Sequence, residues 1–273
     1  MKNNGLFNTS DTKRGFFYMG KIITIINQKG GVGKTTTALS FGAGLGLKKK
    51  KVLLIDLDPQ TNLSFVFNAG EVKTTTICDV LLHKANILDS INHTKNYDFI
   101  TSHSDLALAD SMLTKTGKEY ILSEVLETIK SNYDYIIIDT PPALGVLTIN
   151  SLSASDECII TSQADIFSIQ GITQLYETVT AIKKYCNSKL IIAGILITRF
   201  NSRTILSKDM LEVLKDFAEK INTKIYNTKI RECIAIKESQ AMQTDIFTYS
   251  KGSNASKDYN DFIKEYMTNE KRG

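Results

Sequence analysis

A chain of 273 residues, 42% hydrophobic and 23% charged, can bury a full core and fits one α/β domain of larger than average size. A formal net charge of +4 allows an anionic partner such as DNA without demanding one. The four cysteines (Cys78, Cys158, Cys186, Cys233) are far apart with no CxxC pair. That argues against a disulfide framework or zinc site and for small core residues in a reducing interior. No apolar run approaches the roughly 18 to 20 residues of a membrane-spanning helix, so the chain reads as soluble.

Residues 1–20, MKNNGLFNTSDTKRGFFYMG, are polar apart from a short apolar cluster, and are expected to form a disordered arm ahead of a single domain at 21–273. KIITIIN (21–27) reads as a strand covered on both faces. It runs into NQKGGVGKTTTA (27–38), a phosphate-loop sequence with an irregularity. The pattern G-x-x-x-x-G-K-[ST] puts its first glycine where this chain has Gln28, and Lys29 follows, so the loop carries two lysines. A helix is expected at 34–48, with GAGLG (42–46) packed closely on the sheet. G-x-G-x-G deep in a helix is not a dinucleotide fingerprint. Lys48–Lys51 then read as a solvated helix end.

KVLLIDLD (51–58) is the second strand, and the polar region 67–116 should hold surface helices and loops, with His83, His93 and His103 exposed and not spaced as metal ligands. Further strands are expected at 133–140, 157–163, 190–198 and 224–230, and further helices at 117–131, 168–186, 204–221 and 254–268. Strands alternating with helices predict an α/β fold, a doubly wound, mainly parallel sheet flanked by helices on both faces, as in P-loop NTPases.

That order sets up a polyphosphate site. Strand 21–27 delivers the chain into Lys29, Gly30, Gly31, Val32 and Gly33, and Lys34 opens the helix, so backbone N–H groups and the positive helix end converge on one anionic pocket. Lys34 should neutralise the β- and γ-phosphates of a bound polyphosphate, Thr35 should ligate Mg²⁺, and Thr36 should touch the α-phosphate. Carboxylates fall at two neighbouring strand ends, Asp56 and Asp58 in VLLIDLDPQ and Asp139 in IIIDTPP. Asp139 reads as the group that holds Mg²⁺ through water, and Pro141 and Pro142 turn the chain out of its strand beside the γ-phosphate.

KGGVGKTT (29–36), DLDPQTNLS (56–64), DTPPALGVLTINSL (139–152) and SQADIFSIQGI (162–172) resemble the ParA group of deviant Walker A ATPases, in the expected order from about residue 21 to the end of the chain. The resemblance implies an ATP-dependent homodimer in which Lys29 of each subunit reaches the partner's phosphates. It also implies Asp58 as the residue that positions the attacking water, and Asp56 in the magnesium shell. It implies further that the ATP dimer binds DNA nonspecifically, that a ParB-like centromere-binding protein stimulates hydrolysis, and that the protein works on the nucleoid in the cytoplasm. TRFNSRT (198–204) matches the family where a DNA-contacting arginine occurs, nominating Arg203. KIRECIAIKESQA (229–241) resembles the family's I-R-x-N-V-x-L-x-E-A stretch, bringing Arg231 and Cys233 to the base. Cys233 replaces the common asparagine, and Ala235 replaces a basic residue, with Lys229, Arg231 and Lys237 as substitute DNA contacts.

Three other readings share the loop. A MinD-like positioning ATPase would end in a basic amphipathic membrane helix. The tail here puts Tyr259, Phe262, Ile263 and Tyr266 on one face but crowds the other with Asp258, Asp261 and Glu265, which favours packing on the domain. A nitrogenase iron-protein-like reductase would need interface cysteines after the phosphate-edge strands. A nucleotide-gated DNA scaffold with negligible turnover is disfavoured by the retention of Asp58.

Overall fold

The computed structural model describes residues 20–67 and 72–270, so the expected terminal arm, apart from Gly20, lies outside the described residues. The strands are β1 (Lys21–Ile26), β2 (Val52–Asp56), β3 (Asn92–His93), β4 (Asp98–Ile100), β5 (Tyr135–Asp139), β6 (Glu157–Ser162) and β7 (Ile191–Ile197). They form one seven-stranded sheet in the order β3-β4-β2-β5-β1-β6-β7, parallel except for the short β3 at one edge. The β-branched runs take the central places, where Ile23, Ile25, Leu53, Ile55, Ile136 and Ile137 are fully buried. The doubly wound architecture expected from the alternation is therefore the one found.

The helices are α1 (Lys34–Leu47), α2 (Asn62–Phe67), α3 (Ile77–Leu81), α4 (Ile87–Ser90), α5 (Ala109–Met112), α6 (Ile121–Glu127), α7 (Val146–Ala154), α8 (Ser168–Tyr185), α9 (Ile205–Lys220), α10 (Ile234–Ala241), α11 (Ile246–Tyr249) and α12 (Asn254–Glu270). One face of the sheet is covered by α1, α2 and α10 to α12, and the other by α3 and α6 to α9. α1 lies close enough to its neighbours that a Cβ on Gly42 would sit 2.5 Å from Leu54 of β2, one on Gly44 would strike Ile263 of α12, and one on Gly46 would strike the Asn96 carbonyl. The glycines of GAGLG are thus packing residues.

The apolar face of α12 is spent inside the domain. Phe262 and Tyr266 pack against Phe41 of α1 with ring centroids 5.2 and 5.0 Å apart, and Tyr259 bonds Thr37 at 3.1 Å. Its polar side is also engaged: Asp258 is buried against Arg231, and Glu265 accepts from the 227–228 backbone. No helix among the described residues is long and apolar enough to cross a membrane.

Several elements differ from the sequence reading. The segment 224–230 is not a strand. It touches β7 and its continuation at isolated bridges, Ile195 with Ile225 and Phe200 with Arg231, because the N–H groups of Asn227 and Thr228 go to the Glu265 carboxylate at 2.6 and 2.8 Å instead of to a ladder. The helix expected at 117–131 is shorter, with 3₁₀ turns at 118–120 and 130–132 on either side of α6. α7 arises from TINSLSA, where Ser, Thr and Asn weaken helix propensity. Its polar side chains bond back to the chain, Ser151 to Thr148 O and Asn150 to Val146 O, and burial sustains the helix. α10, β3 and β4 also carry too little periodicity to be read from sequence.

Candidate nucleotide site

Strand-to-helix geometry builds the cradle expected for 29–36. Gly31 and Gly33 adopt φ of 73° and 79°, a left-handed conformation costly for other residues, and Gly33 caps α1 without a side chain. The first turn of α1 has no acidic residue, so its N–H groups and positive end face the cavity uncompensated. The loop is tied down from three sides. Asn27 holds Lys29 N at 2.9 Å and donates to Thr161 O at 2.6 Å, Gln163 donates to Gly31 O at 3.2 Å, and Thr198 donates to Val32 O at 2.8 Å.

The cavity above it measures about 500 Å³ and is lined by Gly30, Gly31, Gly33, Lys34, Thr35 and Thr36 on the phosphate side. Val32 is buried beneath. Lys34 is nearly enclosed and donates to Lys29 O at 3.2 Å. Burial pulls its pKa down, against the opposing charges of Asp139 and Asp58. Thr36 accepts a hydrogen bond from Gln240 of α10 at 3.1 Å, which links the cradle to the far wall.

Three carboxylates stand beside it. The register pairs Asp56 with Asp139 across β2 and β5, and both are fully buried, while Asp58 lines the cavity from the loop after β2. Burial drives Asp139 well above the ordinary carboxylate range, and Asp56 adds to the rise, while the Thr35 hydroxyl and Lys34 lean the other way. Asp56 is pushed up to about 6, chiefly by burial, against hydrogen bonds from Ser64 and Asp58. Neither oxygen of Asp139 has a hydrogen-bond partner. An unsatisfied hard-oxygen pair facing a threonine hydroxyl fits a Mg²⁺ ion, with Thr35 and Asp139 as the residues able to hold it.

On the base side the cavity is walled by Ile230, Arg231, Cys233, Ile236 and Gln240. Cys233 is the N-cap residue of α10, where its thiol makes no capping bond. The four nominated DNA contacts do not share one role. Arg203 is exposed on the loop after β7, with its main-chain N–H held by Asn201. Lys229 donates to Asn227 O at 2.7 Å. Arg231 is not free for DNA, because Nε and Nη2 clamp Asp258 at 2.9 and 2.6 Å, and Lys237 lines the nucleotide cavity. Ala235 is buried in the core, a place unsuited to a basic side chain.

Lys29 does not line the cavity of its own chain. Its amine bonds Asp165, in the loop between β6 and α8, at 2.6 Å. Burial alone would raise Asp165, but Lys29 and Ser168 outweigh it and hold the carboxyl below its ordinary value. Asp165 fell inside the quoted SQAD stretch, yet nothing in its spacing marks it as the partner of Lys29. The roles of Asn27, Thr198, Gln163 and Gln240 were equally hidden, since each is a side chain reaching another segment's backbone or hydroxyl.

Comparison with known proteins identifies the family of the chain. The AAA domain family matches residues 20–192. The sporulation initiation inhibitor protein Soj of Bacillus subtilis is 39% identical over 255 residues, 92% of this chain and 100% of Soj. The chromosome-partitioning ATPase Soj of Treponema pallidum is 34% identical over 252 residues, covering 91% and 98%. Among solved structures, the cobyrinic acid a,c-diamide synthase of Mycobacterium smegmatis with bound ATP analogue and magnesium superposes with a TM-score of 0.77 at 30% identity, covering 90% of this chain and 93% of that one. With its two-lysine phosphate loop, its paired strand-end aspartates and these relatives along nearly its full length, the chain belongs to the ParA/Soj family of P-loop ATPases.

Proposed function

We propose that this protein is an ATP-driven DNA-partitioning switch: Mg²⁺·ATP closes two copies into a dimer, the dimer binds DNA without sequence preference, and a ParB-like centromere-binding protein stimulates hydrolysis that releases it. Bound magnesium supplies charge neutralisation at the phosphates and their leaving oxygen. The chain's own contributions follow from placement. Lys34 and the α1 amides neutralise the phosphates, Thr35 and Asp139 hold the metal, Asp58 aligns the attacking water, and Cys233 and Gln240 border the base. Arg203, exposed and without an ion pair among the described residues, meets DNA phosphates on the nucleoid.

The observation that carries this reading is the direction of Lys29. A loop lysine held outside its own cavity is a cation available to a neighbour's triphosphate, and its transfer makes association depend on the γ-phosphate. The membrane alternative is disfavoured because the apolar face of α12 is buried on α1. Light scattering with a non-hydrolysable ATP analogue and Mg²⁺ tests the reading. The wild type should double in mass and Lys29→Ala should stay monomeric while still binding nucleotide. Equal dimerisation of the two would refute the transfer. Phosphate release with and without DNA and partner separates a switch from a passive scaffold.

A further inference from the structure

Asp56 and Asp139 stand side by side, yet their hydrogen bonding is opposite. Asp139 has no hydrogen-bond partner, whereas Asp56 accepts from three donors. Ser64 N and Ser64 Oγ donate to its Oδ2 at 2.7 and 2.6 Å, and Asp58 N donates to its Oδ1 at 3.0 Å. The same Ser64 hydroxyl accepts from Ser102 N at 2.7 Å, and Ser102 Oγ donates to Asp58 O at 2.8 Å. The loop of contacts closes on Asp58: its N–H is held by Asp56 and its C=O by Ser102, while its carboxylate accepts from Gln60 N and borders the cavity. All four residues of the ring are buried.

We infer that Asp56, Ser64 and Ser102 are positioning residues for Asp58, and that Asp56 serves this scaffold rather than the magnesium shell. The inference rests on the proposed ATPase mechanism for the role of Asp58. The physical reason is division of labour between two carboxylates. A fixed Asp58 backbone limits the positions its side chain can take over the γ-phosphate, and misplacement of a water-aligning group by about 1 Å costs a large factor in rate. With three of about four lone-pair sites taken, Asp56 has one left to offer a metal's hydration shell, whereas neither oxygen of its neighbour Asp139 is engaged in a hydrogen bond. Ser102 follows β4, so the ring also fastens the catalytic turn after β2 to the neighbouring strand.

The test uses Ser64→Ala and Ser102→Ala in the full-length protein, with Ser64→Thr as the conservative variant. In nucleotide-free protein, hydrogen exchange at the Asp58 amide should quicken about tenfold in both alanine variants and return to the wild-type rate in Ser64→Thr. With saturating Mg²⁺·ATP, kcat should fall about tenfold in the alanine variants while KM for ATP and half-saturation by Mg²⁺ stay within about twofold of wild type. Ser102→Ala leaves the Asp56–Ser64 bonds in place and keeps the question answerable if Ser64→Ala does not fold. Unchanged exchange at Asp58 would overturn the inference. So would a raised Mg²⁺ requirement with kcat recovered in excess metal, which would return Asp56 to the magnesium shell. A wild type without turnover would strike at the ATPase reading alone, because the exchange measurement needs no nucleotide.

Discussion

Replacing Asp165 with asparagine removes the charge that holds Lys29 and little else. Asp165 Oδ1 accepts from Phe167 N at 3.0 Å, a bond an asparagine oxygen can keep, whereas the Lys29 contact at Oδ2 requires the carboxylate. The two side chains are 40% and 29% exposed, so the pair is screened, and its net value is that of a partly exposed ion pair, about 0.5–1 kcal/mol. In a symmetric dimer both copies must give up this contact, so the variant is relieved of about 1–2 kcal/mol, or about five- to thirtyfold in the dimer dissociation constant. Sedimentation of wild type and Asp165→Asn across a concentration series, with Mg²⁺ and a non-hydrolysable ATP analogue, measures that ratio. The variant should associate more tightly, and the gap should narrow as salt is raised. The Asp165 carboxyl lies below its ordinary value, so the contact persists through neutral pH and is lost only as pH falls through that lowered value. The gap should therefore be flat from about pH 6 to 8. A variant that dimerises no better than wild type at low salt would show that the Asp165 contact does not oppose association, and the reasoning would fail.

Other perturbations probe separate parts of the fold. Asp56 and Asp139 have folded pKa values raised above the ordinary carboxylate, so their protonated forms favour folding in acid and that stability is lost as pH rises through the folded values. With metal chelated, unfolding should show a decline from about pH 4 through about 6 and beyond, on the order of 3 kcal/mol from Asp56. Asp56→Asn should make the decline shallower, leaving the part due to Asp139, and an unaltered profile would contradict the assignment. Gly46→Ala should cost about 2–3 kcal/mol in urea unfolding, because its Cβ meets the Asn96 backbone carbonyl, which cannot swing aside. Nucleotide affinity should be unaffected at that distant end of α1, and wild-type stability would refute the packing argument. Arg203→Ala should weaken DNA binding by the ATP form and make the log-log salt slope shallower by about 0.9. A parallel slope would remove Arg203 from the interface.

The phosphate cradle and the sheet were legible because their signals are local. A glycine loop, a strand of isoleucines before it and aspartates ending two later strands each follow from residues adjacent in sequence. What stayed hidden is made by single side chains answering distant backbone. Glu265 takes two N–H groups from 227–228 and prevents a strand that the sequence KIYNTKI otherwise suits. Asp258, placed by periodicity on the polar side of its helix, neutralises Arg231 and fixes a stretch that walls the cavity. Ser64 lies within the DLDPQTNLS motif, but its bonds to Asp56 and Ser102 depend on β4, an element of three residues in a region with no strand pattern.

These placements give the site an internal imbalance that bears on its function. The α1 terminus presents a positive pole of N–H groups with no acidic residue in the first turn, and Asp139, buried close to that turn, keeps a negative pole of two oxygens without a hydrogen-bond partner. Burial works against the charged form of Lys34 even with Asp139 and Asp58 opposing. A bound triphosphate answers the positive pole and its metal answers the negative one, so neither alone should stabilise the fold as much as the pair. Thermal midpoints measured with ATP, with Mg²⁺ and with both should therefore be more than additive, and Asp139→Asn should abolish the excess while leaving the metal-independent shift from ATP. A strictly additive wild type would mean that the two poles are satisfied separately in the resting protein, contrary to the unpartnered Asp139.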